Sequence, residues 1–324
     1  MKYVIGIDGG GTKTEGILCS ETGQVFGFFT GGPSNHQFIA AEEVRKNIGQ
    51  VIEELLSQSG LTKTDISGAY LGLAGDDSKE DGQFLSELLA PIMGGIPFCV
   101  RNDLWSAMAS VPDLKWGAVV ISGTGFNLAV RGHSGQTYTL RALEYEHGNL
   151  STTDQLVRSA LHSAFQSEEH TGRKTRLEKR IPETLGVLNM EEVLRLMQKI
   201  PEKVYGNGKI AQDVFALARS GDVVCQDILV HIGEAMGEMT GRLIRHVGLD
   251  KEEIPIVLSG SILVKSVSRL HLDAMQLAIR KHVPDFQMIM NLNPPAAGAC
   301  AQALRNLGKN PGKEFFLRVK EICR

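Results

Sequence analysis

Two segments of this chain repeat one device, and its chemistry is anion binding. Residues 4–18 read Val-Ile-Gly-Ile-Asp-Gly-Gly-Gly-Thr-Lys-Thr-Glu-Gly-Ile-Leu and run on through Glu21-Thr22-Gly23. Residues 118–130 read Ala-Val-Val-Ile-Ser-Gly-Thr-Gly-Phe-Asn-Leu-Ala-Val and run on through His133-Ser134-Gly135. Each predicts an apolar strand, a tight Gly/Thr turn, a second strand and a Gly-centred turn into a third. Without Cβ atoms the turn backbone can approach an anion, and successive N–H groups form concave nests for phosphate oxygens. Taken singly, either segment is equally a plain hairpin turn. Two copies point to one nucleotide held between two lobes.

The elements that would position these turns divide the chain in two. Strands are expected at 3–9, 14–20 and 24–30, then a loop through Gly31-Gly32-Pro33-Ser34-Asn35-His36. Val44, Ile48, Val51, Ile52, Leu55 and Leu56 recur at helical spacing, with Ser59-Gly60 as a stop. A strand at 66–74, a helix near 79–90, a strand near 96–101 and a helix from Leu104 give the order βββαβαβα. That order implies a mixed sheet covered by helices.

The second lobe restarts the pattern near Lys115. A helical region covers 155–197, and a long helical stretch covers 211–246. Gly233, Gly237 and Gly241 recur there at every fourth position, a stripe that something approaches closely. A strand follows at 254–262 and a small-residue helix at 296–307. The bases Arg158, His162, His170, Arg173, Lys174, Arg176, Lys179 and Arg180 interleave with Glu168, Glu169, Glu178 and Glu183, which reads as a solvated face. The expected domains are 1–114 and 115–324, with the last helix free to fold back on the first lobe.

At 324 residues, with 42% hydrophobic and 22% charged residues, the composition is that of a globular protein of two ordinary domains. A net charge of −3 argues against a surface built for nucleic acid. Five cysteines lie singly, with no ligand spacing, which points to a reducing compartment. No apolar run is long enough to span a membrane, and residues 1–15 lack signal-peptide features. A cytoplasmic chain with neither membrane nor nucleic-acid partner is expected, with oligomeric state open and a homodimer among the options.

The set Asp8-Gly9-Gly10-Gly11-Thr12-Lys13-Thr14, Asn102-Asp103, Ser122-Gly123-Thr124-Gly125 and Leu258-Ser259-Gly260-Ser261, in this order, resembles the BadF/BadG/BcrA/BcrD ATPase family. More closely it resembles that family's N-acetylglucosamine kinase branch, over residues 3 to 305. The resemblance implies an α/β, duplicated RNase H-like (actin-like ATPase) fold with ATP and Mg²⁺ in an interlobe cleft. It implies that Gly10, Gly11 and Thr12, with Lys13 nearby, and Thr124 and Gly125 from the second copy hold phosphates. Asp8 would organise Mg²⁺ through coordinated waters. Gly260 and Ser261 would meet the adenosine, although the family carries a second glycine where this chain has Ser261. Asp103 would be the catalytic base for a sugar hydroxyl, although a carboxylate between strand and helix is also an ordinary N-cap. Asn35 and Asn127 would contact the sugar, or bond only their own backbone.

The chain departs from the family after the second turn. Where relatives carry Gly-Trp-Gly and then Gly-Asp-Glu-Gly-Ser, residues 141–151 read Arg-Ala-Leu-Glu-Tyr-Glu-His-Gly-Asn-Leu-Ser. Asn149 occupies the position of the acid, and Glu144, Glu146 and His147 are candidates for rebuilding an acceptor pocket. Three classes follow: a kinase for a sugar or amino sugar, a noncatalytic sensor, or an activator ATPase of radical acyl-CoA dehydratases. The last needs an iron–sulfur cluster, for which this cysteine pattern offers no site.

Overall fold

The computed structural model describes residues 1–141, 148–150 and 152–322. The first half contains β1 (Tyr3–Gly9), β2 (Thr14–Ser20), β3 (Val25–Gly31), α1 (Ala41–Ser59), β4 (Ile66–Leu73), α2 (Lys79–Met93), β5 (Phe98–Arg101) and α3 (Asp103–Ala109). The second contains β6 (Gly117–Ser122), β7 (Phe126–Arg131), β8 (Thr137–Thr139), α4 (Thr152–Glu168), α5 (Leu177–Leu185), α6 (Met190–Lys199), α7 (Glu202–Tyr205), α8 (Gly208–Arg219) and α9 (Val223–Val247). It continues through β9 (Ile254–Ser259), α10 (Ser261–Val264), α11 (Leu270–Arg280), β10 (Phe286–Met290), α12 (Pro295–Asn306) and α13 (Lys313–Ile322).

The duplication expected from the two hairpins extends to whole sheets. One has the order β3-β2-β1-β4-β5 and the other β10-β9-β6-β7-β8, which is the same order read from the opposite edge. In each, the first three strands run antiparallel and the last two join parallel to the first. β1 and β6 are central, so Val4, Ile5, Ile7, Ala118, Val119 and Val120 are buried on both faces and read as continuous apolar runs.

Helix boundaries follow local chemistry. Val44, Ile48, Val51, Ile52 and Leu55 form the buried stripe of α1, and Gly60 ends it at φ 67°, its N–H donating to the Leu56 carbonyl. The stretch expected as one helix over 211–246 is two. Asp222 accepts the Cys225 N–H as N-cap of α9, and it also takes bonds from Thr175 Oγ1 and the Arg176 N–H. A carboxylate so engaged starts a helix and cannot continue one. Likewise 155–197 divides into α4, α5 and α6. The basic residues there pair with acids, Arg158 with Asp154, Arg173 with Asp227 and Lys174 with Glu178, as a solvated face would.

The glycine stripe of α9 is explained by α11, an element the sequence did not single out. A Cβ at Gly233 would lie 2.1 Å from the His271 carbonyl oxygen, and one at Gly237 2.4 Å from that of Met275. The two helices touch backbone to backbone.

The halves are joined by an exchange of helices. α3, which follows the first sheet, buries Leu104, Trp105, Ala107 and Met108 against Val119, Ala129 and Val257 of the second. α12, which follows the second sheet, buries Ala296, Ala297 and Cys300 against Val4, Ile17 and Tyr70 of the first, and Phe315, Phe316 and Val319 of α13 join that cluster. α12 also lies directly on α3, because a Cβ at Gly298 would sit 1.9 Å from the Ser106 carbonyl oxygen. Gly298→Val is expected to lower unfolding free energy by about 2–3 kcal/mol, since backbone atoms cannot yield as a side chain can. Chemical denaturation checks this, and an unchanged midpoint would refute the contact.

Candidate interlobe active site

The two Gly/Thr turns meet. Gly10 N–H donates to the Lys13 carbonyl (3.0 Å) and closes the β1–β2 turn; Gly123 N–H donates to the Gly125 carbonyl (2.9 Å) and closes the β6–β7 turn. Their tips converge, with Thr12 Oγ1 and Thr124 Oγ1 3.3 Å apart although 112 positions separate them in sequence. Each turn is anchored from behind. Thr14 Oγ1 donates to the Gly32 carbonyl (2.7 Å) and is also bonded to Ser34 Oγ (2.8 Å). Thr153 Oγ1 donates to the Gly123 carbonyl (2.7 Å), and Ser122 Oγ to Thr152 Oγ1 (3.0 Å), tying the second turn to the start of α4.

The glycines of these turns fall into two kinds. Gly9 is a packing glycine, because a Cβ there would lie 2.2 Å from Ser34 Oγ. Gly260 is also demanded by the fold: its φ is 89° and a Cβ would lie 2.2 Å from the Ser122 carbonyl oxygen. Gly10, Gly11 and Gly125 differ. None is in the left-handed region, and among the described residues a Cβ at Gly10 or Gly11 would approach nothing closer than 3.8 Å, and one at Gly125 nothing within 4 Å. Neither strain nor crowding by the described residues calls for glycine at these three. Open backbone on two facing turns is what a close-lying anion requires. Ser261 stands beside the second turn, its Oγ 3.6 Å from where a Gly123 Cβ would be.

Carboxylates gather at the first turn. Asp8 is the penultimate residue of β1, opposite Glu15 on β2 and Gly72 on β4. Burial holds its carboxyl well above the usual range, and Asp103 and Glu15 push it further, with Lys13 as the opposing charge. Lys13 itself is ion-paired with Glu15. Asp103 is the first residue of α3, but the cap is Asn102, whose Oδ1 accepts the Leu104 N–H (3.1 Å). The N-cap is therefore the neighbour, although the backbone N–H groups of Leu104 and Asp103 also favour the Asp103 carboxylate. Burial first, and then Asp77, raise Asp103 to about 7. Among the described residues no three His, Cys, Asp or Glu form a metal cage. Two destabilised carboxyls with one nearby lysine instead fit a hard cation that takes one or two carboxylates and keeps its waters.

The acceptor candidates are less uniform. Asn35 is buried, and its Oδ1 accepts the Gln37 N–H (2.9 Å). Asn127 Oδ1 accepts the Leu128 N–H (2.8 Å). Asn149 spends both ends on backbone: Nδ2 donates to the Phe126 carbonyl (3.0 Å) and Oδ1 accepts the Leu150 N–H (2.8 Å). It pins the segment at 148–150 to the start of β7. Ala142–His147 and Ser151, with the candidates Glu144, Glu146 and His147, lie outside the described residues. The structure adds Asp77 beside Asp103, with Asp76 next to Asp77 in the turn after β4. Burial holds Asp76 up at about 6 despite Arg101. Two acids directly after a glycine in the turn that follows a buried strand were the available signal. Of the described cysteines, Cys19, Cys225 and Cys300 are buried core residues and Cys99 is half-buried on β5. A groove of about 540 Å³ between α4 and α9, lined by residues such as His162, Arg173 and His231, shares no residue with either turn.

Among the known proteins similar to this chain are several sugar kinases by name. The chain is 26% identical over 308 residues to an N-acetylmuramic acid/N-acetylglucosamine kinase of Clostridium acetobutylicum, covering 92% of this chain and 97% of that one. It is 25% identical to an N-acetyl-D-glucosamine kinase of Dictyostelium discoideum over 93% and 98% of the two chains. A solved structure from Chromobacterium violaceum, named as a candidate N-acetylglucosamine kinase, shares the fold with a TM-score of 0.68 at 18% identity, covering 93% and 98%. The duplicated sheets are those of the actin-like ATPase fold. The model of the BadF/BadG/BcrA/BcrD ATPase family matches residues 5–304, and the chain belongs to that family.

Proposed function

We propose that the protein is an ATP-dependent kinase that phosphorylates a hydroxyl of an amino sugar, with Asp103 as the base. The observation that carries this reading is the meeting of the two glycine turns at Thr12 and Thr124, with Asp8 and Asp103 gathered at the first. Backbone N–H groups of Gly10, Gly11, Thr12 and Gly125 would hold the β- and γ-phosphates, aided by the Thr12 and Thr124 hydroxyls, with Lys13 supplying charge nearby. Gly260 and Ser261 would border the adenosine. Phosphoryl transfer asks little covalent help of a protein, so positioning and charge dominate. The acceptor oxygen bonds to the γ-phosphorus as the bond to the ADP oxygen breaks, and its proton passes to Asp103. Mg²⁺, held at Asp8 through waters, would neutralise developing phosphate charge.

On the acceptor side, Asn35 and Asn127 offer amides to sugar hydroxyls, while Asn149 supports the backbone that presents Asn127. The relatives named above phosphorylate N-acetylated amino sugars by name, and that substrate class is the one we propose. The lobes, residues 1–114 and 115–324 with α12 and α13 resting on the first sheet, would close on both ligands and exclude water that otherwise hydrolyses ATP. No helix among the described residues is long and apolar enough to cross a membrane, and a cytoplasmic enzyme is the corresponding expectation.

ATP consumption with Mg²⁺ across N-acetylglucosamine, N-acetylmuramic acid, glucosamine and glucose tests the reading directly. Asp103→Asn should lose about 10²–10⁴-fold in turnover while binding ATP normally. Absence of sugar-dependent turnover in the wild type, with ATP bound, would favour a sensor. Gly125→Ala should leave the melting temperature unchanged or slightly raised, since nothing crowds that site, yet weaken ATP binding in calorimetry. Equal affinity would remove the second turn from the phosphate site.

The raised carboxyl also makes a stability prediction. Asp103 holds its proton to about 7 in the folded chain and only to about 3.9 when unfolded. The folded state therefore binds more protons between those values, and stability falls as pH rises through that window. Asp103→Asn removes this loss. Its melting temperature should exceed that of the wild type at pH 8, and the gap should shrink towards pH 4.5. A gap that does not depend on pH would show that Asp103 is not strained in the folded state.

A further inference from the structure

Three loops of the first lobe meet at one carboxylate. Asn102, which caps α3 with its Oδ1, turns its Nδ2 outward to donate to Asp77 Oδ1 (2.9 Å) and to the Asp76 carbonyl (3.2 Å). The other carboxylate oxygen, Asp77 Oδ2, accepts from Gln37 Nε2 (3.1 Å), and the backbone N–H of Gln37 in turn donates to Asn35 Oδ1 (2.9 Å). The β3–α1 loop with Asn35, the β4–α2 loop with Asp77 and the start of α3 with Asp103 are thus tied in series. The first two loops also touch, because a Cβ at Gly75 would lie 2.6 Å from Asn35 Oδ1.

We propose that Asp77 is a positioning residue for acceptor recognition, holding the Asn35 loop and the Asp103 carboxylate in one register. The inference rests on the reading above, in which Asn35 meets the acceptor and Asp103 takes its proton. A carboxylate at 77 suits this position. Both neighbours present amide N–H₂ donors and both its oxygens accept, whereas an asparagine would turn its own N–H₂ towards one of them and would need the exposed Gln37 amide to rotate. That fit accounts for a charge kept beside Asp76 and Asp103, where like charges raise the cost of each. The second phosphate turn is anchored separately, through Thr153 to Gly123, whereas the first shares the β3–α1 loop, where Thr14 bonds Gly32 and Ser34 and the Ser34 N–H donates to the Gly10 carbonyl (3.0 Å). The latch therefore acts first on the acceptor and the base, and reaches the nucleotide side only through the first turn, leaving the second alone.

Amide hydrogen exchange and steady-state kinetics on Asp77→Asn, Gln37→Ala and the double variant test the proposal. In Asp77→Asn, exchange should quicken together at residues 35–39 and 103–106 and stay unchanged at 123–125, the turn anchored on α4. Acceptor kcat/KM should fall about tenfold through both a higher acceptor KM and a lower kcat, with the KM for ATP within about twofold of the wild type. Gln37→Ala should produce part of this loss, and the double variant less than the product of the single effects. Gln37 is exposed, so that variant reads the coupling even if Asp77→Asn proves unstable. Faster exchange confined to 76–78, or a KM for ATP that rises in step with that for the acceptor, would overturn the proposal. Exchange needs no turnover: coupled loops in a wild type without sugar-dependent turnover would refute the kinase reading and leave the latch standing.

Discussion

The backbone contact between α3 and α12 is the constraint on which the site depends. Gly298 has no room for a side chain above the Ser106 carbonyl, and Gly6 on β1 has none beneath Ala296 and Cys300. These contacts let each half lend its closing helix to the other, so two separate cores become one body with a shared seam. The seam lies behind β1 and β6, the strands whose turns meet in front. A substitution there has no flexible side chain to displace, because carbonyl and amide groups form the opposing surface. Small residues along α12, Ala296, Ala297, Gly298, Ala299 and Ala301, keep that approach continuous.

What the seam positions is a set of unfavourable charges. Asp8, Asp76 and Asp103 all hold their protons more tightly than a solvated carboxyl does, and for each the main cause is burial. Such a group costs folding free energy in its ionised form. Asp8 and Asp103, opposed chiefly by Lys13, make poor sense as structure and good sense as a place for a cation and a proton acceptor. Amide and hydroxyl groups at Asn102, Thr14 and Thr153 meanwhile tie the surrounding loops to rigid elements. Strain sits in the carboxylates, and rigidity in the scaffold beneath them.

Much was legible in the sequence. The β-branched runs before each Gly/Thr turn set strands 3–9 and 14–20, and their second copy announced the duplicated sheets. The 3.6-residue stripe of α1 and its Gly60 stop were equally plain. Local chemistry misled where a polar side chain competed with a helix: Asp222 divides the stretch read as continuous, because its carboxylate caps α9 from a position whose partners, Thr175 and Arg176, are distant in sequence. The α9 glycine stripe announced a close neighbour but not which one.

The sequence by itself determined the strands, the turns and the residue types able to bind phosphate, because those depend on alternation, branching and the missing Cβ of glycine. Only the tertiary structure decided which groups share a site. Thr12 and Thr124 meet because two sheets are locked by exchanged helices, and no pattern within either segment encodes that distance. It also decided roles between neighbours: Asn102 takes the cap beside Asp103, Asn149 is spent on backbone, and Asp77 joins two loops. Hydrogen bonds are satisfied by whatever lies within 3 Å in space, and nearness of that kind is a property of the packed chain, not of residue order.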